Sequence, residues 1–349
     1  MTAIRIQGVG TAVPKYVYDQ AQVRQVVEGL FHERVKNFDR LLRVFDHLHI
    51  ARRHFARDPQ WYAAEHGFAE LNQLFTETAT ELSCEAARAV MAHAGIDAAE
   101  VAGVVAVTTT GMMTPSLDAV LIQELNLPLT SIRLPIVGLG CAGGVAGLAR
   151  SAELSSACSG APVLFVAVEI CSATFQKNDT SKSNLIGTSI FGDGAAAVIV
   201  GAGGEGPEIV GSFHQLFPNT YDIMGWDIID SGLKVRFSRD IPSFVRQHIP
   251  KVIADSCQQW GISPDDILTY ITHPGGAKVL EAFADAIGKP KELLASAYEV
   301  LRNYGNMSSA SILFVLEDMI RNTRLESGYA LMSALGPGFS SDQLLLKIS

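Results

Sequence analysis

The stretch that decides how this chain folds is GLGCAGGVAGLAR, residues 138–150. It follows an apolar segment and opens a run of small residues at helical spacing, with a single cysteine, Cys141, at the turn where the helix begins. The first backbone N–H groups of a helix have no partner within it, and the helix dipole favours negative charge there, so a cysteine at this point is helped towards its thiolate. The thiolate is the reactive form of cysteine, and thioester exchange is its natural use. On position alone, Cys141 reads equally well as a small buried hydrophobe, the commonest fate of a free cysteine. Cys84, Cys158, Cys171 and Cys257 lie inside helical or strand patterns without such flanks and read as structural.

A second junction has the same form. In GNMSSASILFVLE (305–317) a glycine is again followed by one polar residue, Asn306, and then by small residues that let a helix N-terminus pack deep in the molecule. Each half also ends on a Gly-rich turn into a strand, FGDGAAAVIVG (191–201) and LGPGFSSDQLLLKI (335–348). The pattern predicts an internal duplication with the two junctions facing one another at the centre, divided into halves 1–203 and 204–349.

Outward from these junctions, strands and helices alternate along the chain, which predicts an α/β protein. Strands are expected at 4–10, 101–111, 161–170, 194–201, 269–275, 329–336 and 342–348, and helices at 77–95, 115–126, 142–157, 243–260, 276–287 and 308–322. Of the 349 residues, 48% are hydrophobic and 18% charged, so a large core is available and disorder is not expected. The opening MTAIRIQGVGTAVP carries no basic segment ahead of a long apolar run, so no signal peptide is expected there. Apolar stretches such as APVLFVAVEI (161–170) are too short to span a bilayer. Five cysteines, an odd number without C-x-x-C spacing, suit reduced thiols and a cytoplasmic location.

The net charge of −9 disfavours nucleic acid as a partner. Between Arg34 and Arg57, however, seven basic residues meet two acids, a local net charge of +5. Such a segment is either a solvated helix face or a seat for a phosphorylated small molecule, and charge alone favours the former.

Two further residues carry chemistry. His273 ends a strand and enters the turn HPGG (273–276), and strand ends are where α/β proteins place reactive groups. Asn306 offers amide donors without a titratable charge, suited to a developing oxyanion. Each has an ordinary reading as well, a turn residue for His273 and a helix cap for Asn306.

Together, Cys141 in GLGCAGG, His273 in THPGG and Asn306 in GNMSSAS resemble the type III polyketide synthases, the chalcone synthase-like branch of the thiolase-fold condensing enzymes. TTTGMMTPSLDA (108–119), VEICSATFQ (168–176), IFGDGAAAVIVG (190–201) and GPGF (336–339) fit the same family, so the resemblance covers the whole chain. It implies a thiolase fold, a duplicated αβαβα layered architecture, with the nucleophile in the N-terminal half and the His and Asn in the other. It implies an acyltransferase that loads an acyl-CoA starter on Cys141 and extends it with malonyl-CoA by decarboxylative condensation. The coenzyme A thioesters are substrates, no cofactor or metal is expected, and the assembly implied is a homodimer.

Residue by residue, the resemblance implies that His273 pairs with Cys141 and that His273 and Asn306 donate to the thioester oxygen of malonyl-CoA. Phe191 matches the family's gating phenylalanine. Thr109, Thr174 and Ser308 match cavity-lining positions, and Arg40, Arg43 and His47 fall where relatives hold the phosphates of coenzyme A. His47 departs from the usual Lys and is a weaker cation at neutral pH. Val235 stands where plant members carry a second gating Phe, Trp226 where they keep a small residue, and Thr114 where a Met crosses their dimer interface. These departures point away from the chalcone-type reaction and towards a long aliphatic starter, with an alkylresorcinol or alkylpyrone as product. The runner-up readings are a single-round ketoacyl synthase III-like enzyme and an inactive homologue serving as a binding partner.

Overall fold

A computed structural model describes residues 2–349 apart from 36, 37, 39–41 and 323, with the side chains at 44 and 46 also excluded. Its strands are β1 (Ile4–Ala12), β2 (Tyr16–Asp19), β3 (Arg52–Phe55), β4 (Gly103–Thr108), β5 (Ile132–Val137), β6 (Val163–Ile170), β7 (Asp193–Ala202), β8 (Glu208–Leu216), β9 (Met224–Ile229), β10 (Gly232–Phe237), β11 (Ile267–Thr272), β12 (Gly328–Gly336) and β13 (Ser340–Ile348). Nine of them form one sheet in the order β11-β12-β13-β8-β1-β7-β6-β4-β5.

The order repeats one motif. In the first half β1 pairs antiparallel with β7, β7 antiparallel with β6, and β6 parallel with β4. In the second half β8 pairs antiparallel with β13, β13 antiparallel with β12, and β12 parallel with β11. The halves meet at β1 and β8, where Arg5 faces Glu208 and the side chains form an ion pair at 3.4 Å. This is the duplicated α/β architecture expected of a thiolase fold.

Strand β6 is buried along its whole length, with Phe165 and Ala167 in one core cluster and Leu164, Val166 and Val168 in another. A strand covered on both faces reads as a continuous apolar run rather than an alternating one. One cover is the helix Phe68–Ala94, closed by Gly95 in the left-handed conformation. The other is the helix Gly143–Ala157, which lies against the helix Ser311–Arg321 from the second half.

That central contact requires glycine. A Cβ on Gly144 would lie 2.3 Å from the Ser309 carbonyl oxygen and 2.6 Å from Ile312 Cγ2, so the two junctions approach as closely as backbone allows. The expected strands and helices are all present within a few residues, except that the helix expected from 77 begins at Phe68. Among the described residues four helices (Gln20–Phe31, Pro59–Ala63, Lys182–Ile190, Ala295–Tyr304) and strands β2, β3, β5, β8, β9 and β10 go beyond the expectation. Among the described residues no helix is long and apolar enough to cross a membrane.

Candidate active site

Cys141 lies buried in the tight turn Gly140–Ala142 that leads into the helix Gly143–Ala157. The turn is fixed from two sides. The Gly140 N–H donates to Thr109 Oγ1 at 2.9 Å. Gly140 is left-handed (φ +50°), and the ring of Pro337 in the GPGF loop occupies the space a side chain there would need. Facing Cys141 is the second junction, with Ser308 Oγ 3.8 Å from the cysteine sulfur. The Ser308 N–H donates to Asn306 Oδ1 at 2.8 Å, and Asn306 Nδ2 donates to the Gly275 carbonyl at 3.3 Å.

Gly275 belongs to the HPGG turn, so this bond ties Asn306 to the segment carrying His273. The turn lies alongside the imidazole, within ordinary van der Waals reach of a Cβ on Gly275. The His273 N–H donates to the Ser333 carbonyl at 3.0 Å, which sets the residue at the end of β11. Both ring nitrogens of His273 are buried without a hydrogen-bond partner.

Burial dominates the electrostatics. It pushes the Cys141 thiol up to about 12, against hydrogen bonds from Ser308 and Asn306 that pull the other way. It pulls His273 down to about 3. Taken singly, both groups are neutral at pH 7.

Beside Cys141 stands a carboxyl group that motif reasoning passed over. Glu169, on β6, is fully buried. Its Oε2 accepts from the N–H of Thr109 at 2.9 Å, the N–H of Thr110 at 3.1 Å and the Thr110 hydroxyl at 2.8 Å, while Oε1 accepts from Ser309 at 2.6 Å. Burial raises its pKa and these bonds lower it. The group thus links the β4 end to the second junction. The visible signal was a lone carboxylate inside the apolar run APVLFVAVEI.

Phe191 follows directly on the helix Lys182–Ile190 and forms an isolated parallel bridge with Asn306. Its ring stacks on Trp226 (centroids 5.9 Å apart, planes at 29°) and packs on Phe237 at 5.6 Å. The aromatic wall that Val235 lacks is therefore supplied by its hairpin neighbours. Beyond this wall lies a narrow cavity, partly open to solvent. It runs from Trp226, Val235 and Phe191 past Cys171 and Thr174 to the apolar stripe Val23, Val27 and Leu30 of the helix Gln20–Phe31. Cys171, read from sequence as structural, is thus a cavity wall. Thr109 and Ser308 are not among the residues lining this cavity; both sit at the Cys141 turn instead.

Among its described residues the basic segment does not form one patch. Arg40 lies outside the described residues. Arg43 and His47 are exposed on the short turn Arg43–His47. Arg34 is engaged with the Lys177 carbonyl at 3.0 Å and Asn178 at 3.2 Å. Arg53 is wholly buried, so the charge count overstated what solvent or a phosphate can meet.

Comparison with known proteins gives a consistent picture. Residues 3–204 match the family model for the N-terminal domain of chalcone and stilbene synthases, and residues 208–349 match that for the C-terminal domain. A chalcone synthase-like protein of Bacillus subtilis (strain 168) is 40% identical over 97% of both chains. The 1,3,6,8-tetrahydroxynaphthalene synthase of Streptomyces peucetius subsp. caesius is 35% identical over 98% of this chain and 92% of its own. The alpha-pyrone synthesis polyketide synthase-like Pks18 of Mycobacterium tuberculosis (strain CDC 1551 / Oshkosh) is 29% identical over 99% of this chain and 92% of its own. The crystal structure of 1,3,6,8-tetrahydroxynaphthalene synthase from Streptomyces coelicolor A3(2), a bacterial type III polyketide synthase, superposes with a TM-score of 0.94 at 25% identity, covering 99% of each chain.

Proposed function

The chain belongs to the chalcone and stilbene synthase family, the type III polyketide synthases, which condense acyl-CoA and malonyl-CoA units with loss of CO2, and we propose that this member takes a long aliphatic starter and makes an alkylresorcinol or alkylpyrone. The observation behind this reading is the cavity beyond Phe191. Its walls are mostly apolar, and it extends to the helix Gln20–Phe31, a shape suited to an extended hydrocarbon chain. Both a tetrahydroxynaphthalene synthase and a pyrone-forming relative are similar to this chain, so the former's aromatic product is the competing outcome.

The mechanism that fits the residues runs as follows. Cys141 attacks the thioester carbonyl of the starter and coenzyme A leaves as the thiol, its proton coming from Cys141 by way of His273. Malonyl-CoA then loses CO2. The electron pair of the broken C–C bond moves into an enolate, whose oxygen accepts hydrogen bonds from Asn306 and His273. Such donors are each worth roughly 3–4 kcal/mol where water is excluded. The enolate carbon attacks the acyl group on Cys141, forming the new C–C bond and expelling the cysteine sulfur. The chain is now on coenzyme A and is reloaded for the next round. Arg43 and His47, with Arg40, are proposed to hold the phosphates of coenzyme A, and two copies of the chain are proposed to form a homodimer in the cytoplasm.

Incubating the protein with malonyl-CoA and acyl-CoAs of graded length, then measuring product masses, tests the reading. Products that grow with the starter by several two-carbon units, followed by ring closure, are expected. A single condensation, or dependence on carrier-bound malonate, points to a ketoacyl synthase III-like enzyme. No CO2 release from any starter would sink the activity altogether.

A further inference from the structure

Four carbonyls at the end of the helix Lys182–Ile190, those of Thr188, Ser189, Ile190 and Phe191, need partners from outside the helix. Each has one. The Arg53 guanidinium donates from one nitrogen to the Thr188 carbonyl at 2.6 Å and to the Phe191 carbonyl at 2.8 Å. Arg53 Nε donates to Gln20 Oε1 at 3.1 Å, and Gln20 Nε2 in turn donates to the Ser189 carbonyl at 2.8 Å. The Ile190 carbonyl accepts the N–H of Asn306 itself, at 2.8 Å, and the Asn306 carbonyl accepts the N–H of Gly192 at 3.0 Å.

Arg53 touches the Asn306 side of this arrangement too. A Cβ on Gly305 would lie 2.8 Å from Arg53 Cδ and 3.0 Å from Cγ, so the stem of the arginine lies along the residue before Asn306. Burial lowers the guanidinium to about 9 and the nearby Asp193 carboxyl holds it up, so it keeps its charge at neutral pH. Asp193 is itself fixed by Ser172 and by the N–H of Ala56 at 2.8 Å. A cation at a helix C-terminus also meets the negative end of the dipole.

We propose that Arg53 is a positioning residue for condensation, holding the Phe191 gate and the Asn306 oxyanion donor at one fixed spacing. The inference deepens the proposed mechanism and rests on Asn306 donating to the enolate oxygen. A fork that reaches two carbonyls and a side-chain amide is a geometry that the compact ammonium of lysine does not reproduce. A small displacement of Asn306 is costly, since misplacement by about 1 Å can cost about 100-fold.

The test uses the full-length chain carrying Cys141→Ala, in which malonyl-CoA decarboxylation is read without acyl loading. Adding Arg53→Lys is expected to lower kcat for decarboxylation by about tenfold or more. In the Cys141-containing protein, Arg53→Lys is expected to lower the rate of Cys141 alkylation by much less than it lowers decarboxylation, because Asn306 is one of several groups acting on the thiol, and to shift the chain lengths of the products, because the gate moves with the donor. A merely structural role would lower decarboxylation and alkylation together, in step with the folded fraction, and that result overturns the proposal. So does unchanged decarboxylation. If Arg53→Lys does not fold, Gln20→Leu removes two bonds of the same cap while leaving the Arg53 bonds to Thr188 and Phe191, and is expected to give a smaller loss with the same split; equal losses there overturn the proposal as well. Absence of decarboxylation in the Cys141→Ala parent, with Asn306 and Arg53 intact, indicts the proposed mechanism and not the role of Arg53.

Discussion

Trp226 and Val235 stand directly opposite each other in the β9–β10 hairpin, so the bulk on one strand and the gap on the other belong to a single cross-strand pair. The indole reaches over the pair to stack on Phe191, which leaves the small Val235 side chain facing the long cavity.

Val235→Phe should therefore shorten the starters accepted, because a ring there projects into the space an alkyl chain needs. Trp226→Ala should loosen the Phe191 wall and broaden the distribution of product lengths. Competition between acyl-CoAs of different length, scored by product mass, checks both. An unchanged preference in Val235→Phe removes the argument that this position sets chain length.

Cys141→Ala should abolish acyl transfer to the protein while leaving malonyl-CoA decarboxylation measurable. Asn306→Ala and His273→Ala should each lower decarboxylation by about 100- to 1000-fold, the range for removing one oxyanion donor. Acyl loading is read by intact-protein mass and decarboxylation by CO2 release. An Asn306→Ala protein with normal CO2 release would show that the amide does not serve the enolate.

The pH dependence of Cys141 reactivity should depend on His273. Burial, with the Glu169 carboxyl adding to it, pushes the thiol up to about 12, so in the proposed mechanism reactivity near neutral pH comes from the imidazole taking the proton. In His273→Gln that counter-charge is gone, the thiolate becomes harder to form, and the alkylation profile moves to higher pH. Each unit of that shift costs about tenfold in rate at fixed pH below the thiol pKa. Iodoacetamide rates measured from pH 6 to 10 on both proteins test this; superimposable profiles would contradict it.

Gly144→Ala should destabilise the fold. Its methyl group would press on the Ser309 carbonyl oxygen, which is backbone and cannot swing aside. Overpacking of this kind costs about 1–3 kcal/mol. Thermal unfolding should record a lower Tm, and Gly95→Ala makes no useful control because Gly95 needs a left-handed conformation. Gly29→Ala does, since nothing lies within 4 Å of a Cβ there.

Most of the sheet was legible because its central strands are buried on both faces and read as unbroken apolar runs, as in β6. Most of the strands that escaped notice are peripheral; β8 is central but no residue of it is fully buried, so it lacks an apolar run. Strand β5 lies at the sheet edge and is largely exposed, with Pro135 in its middle, so it lacks both the apolar run and the propensity. The helix Gln20–Phe31 carries a readable stripe at Val23, Val27 and Phe31, but polar and charged residues between them dilute its signal. At the site, Cys141, Asn306 and the HPGG turn were legible because glycine and proline mark turns whatever the tertiary context. Glu169 and Arg53 were not singled out, since their importance lies in partners far along the chain. Arg53 in particular sits in a basic run, and its burial and its bonds to the Thr188 and Phe191 carbonyls set it apart.

The contact between Cys141 and Ser308 joins residues 167 positions apart, and the Phe191–Asn306 bridge is similarly remote in sequence. Contacts of such separation carry a high loop-closure cost and form late when a chain refolds. Enzymatic turnover should then lag behind the recovery of helical circular dichroism after dilution from denaturant. Catalysis in this protein is a clock for the last stage of assembly, and it reads zero until both halves have docked.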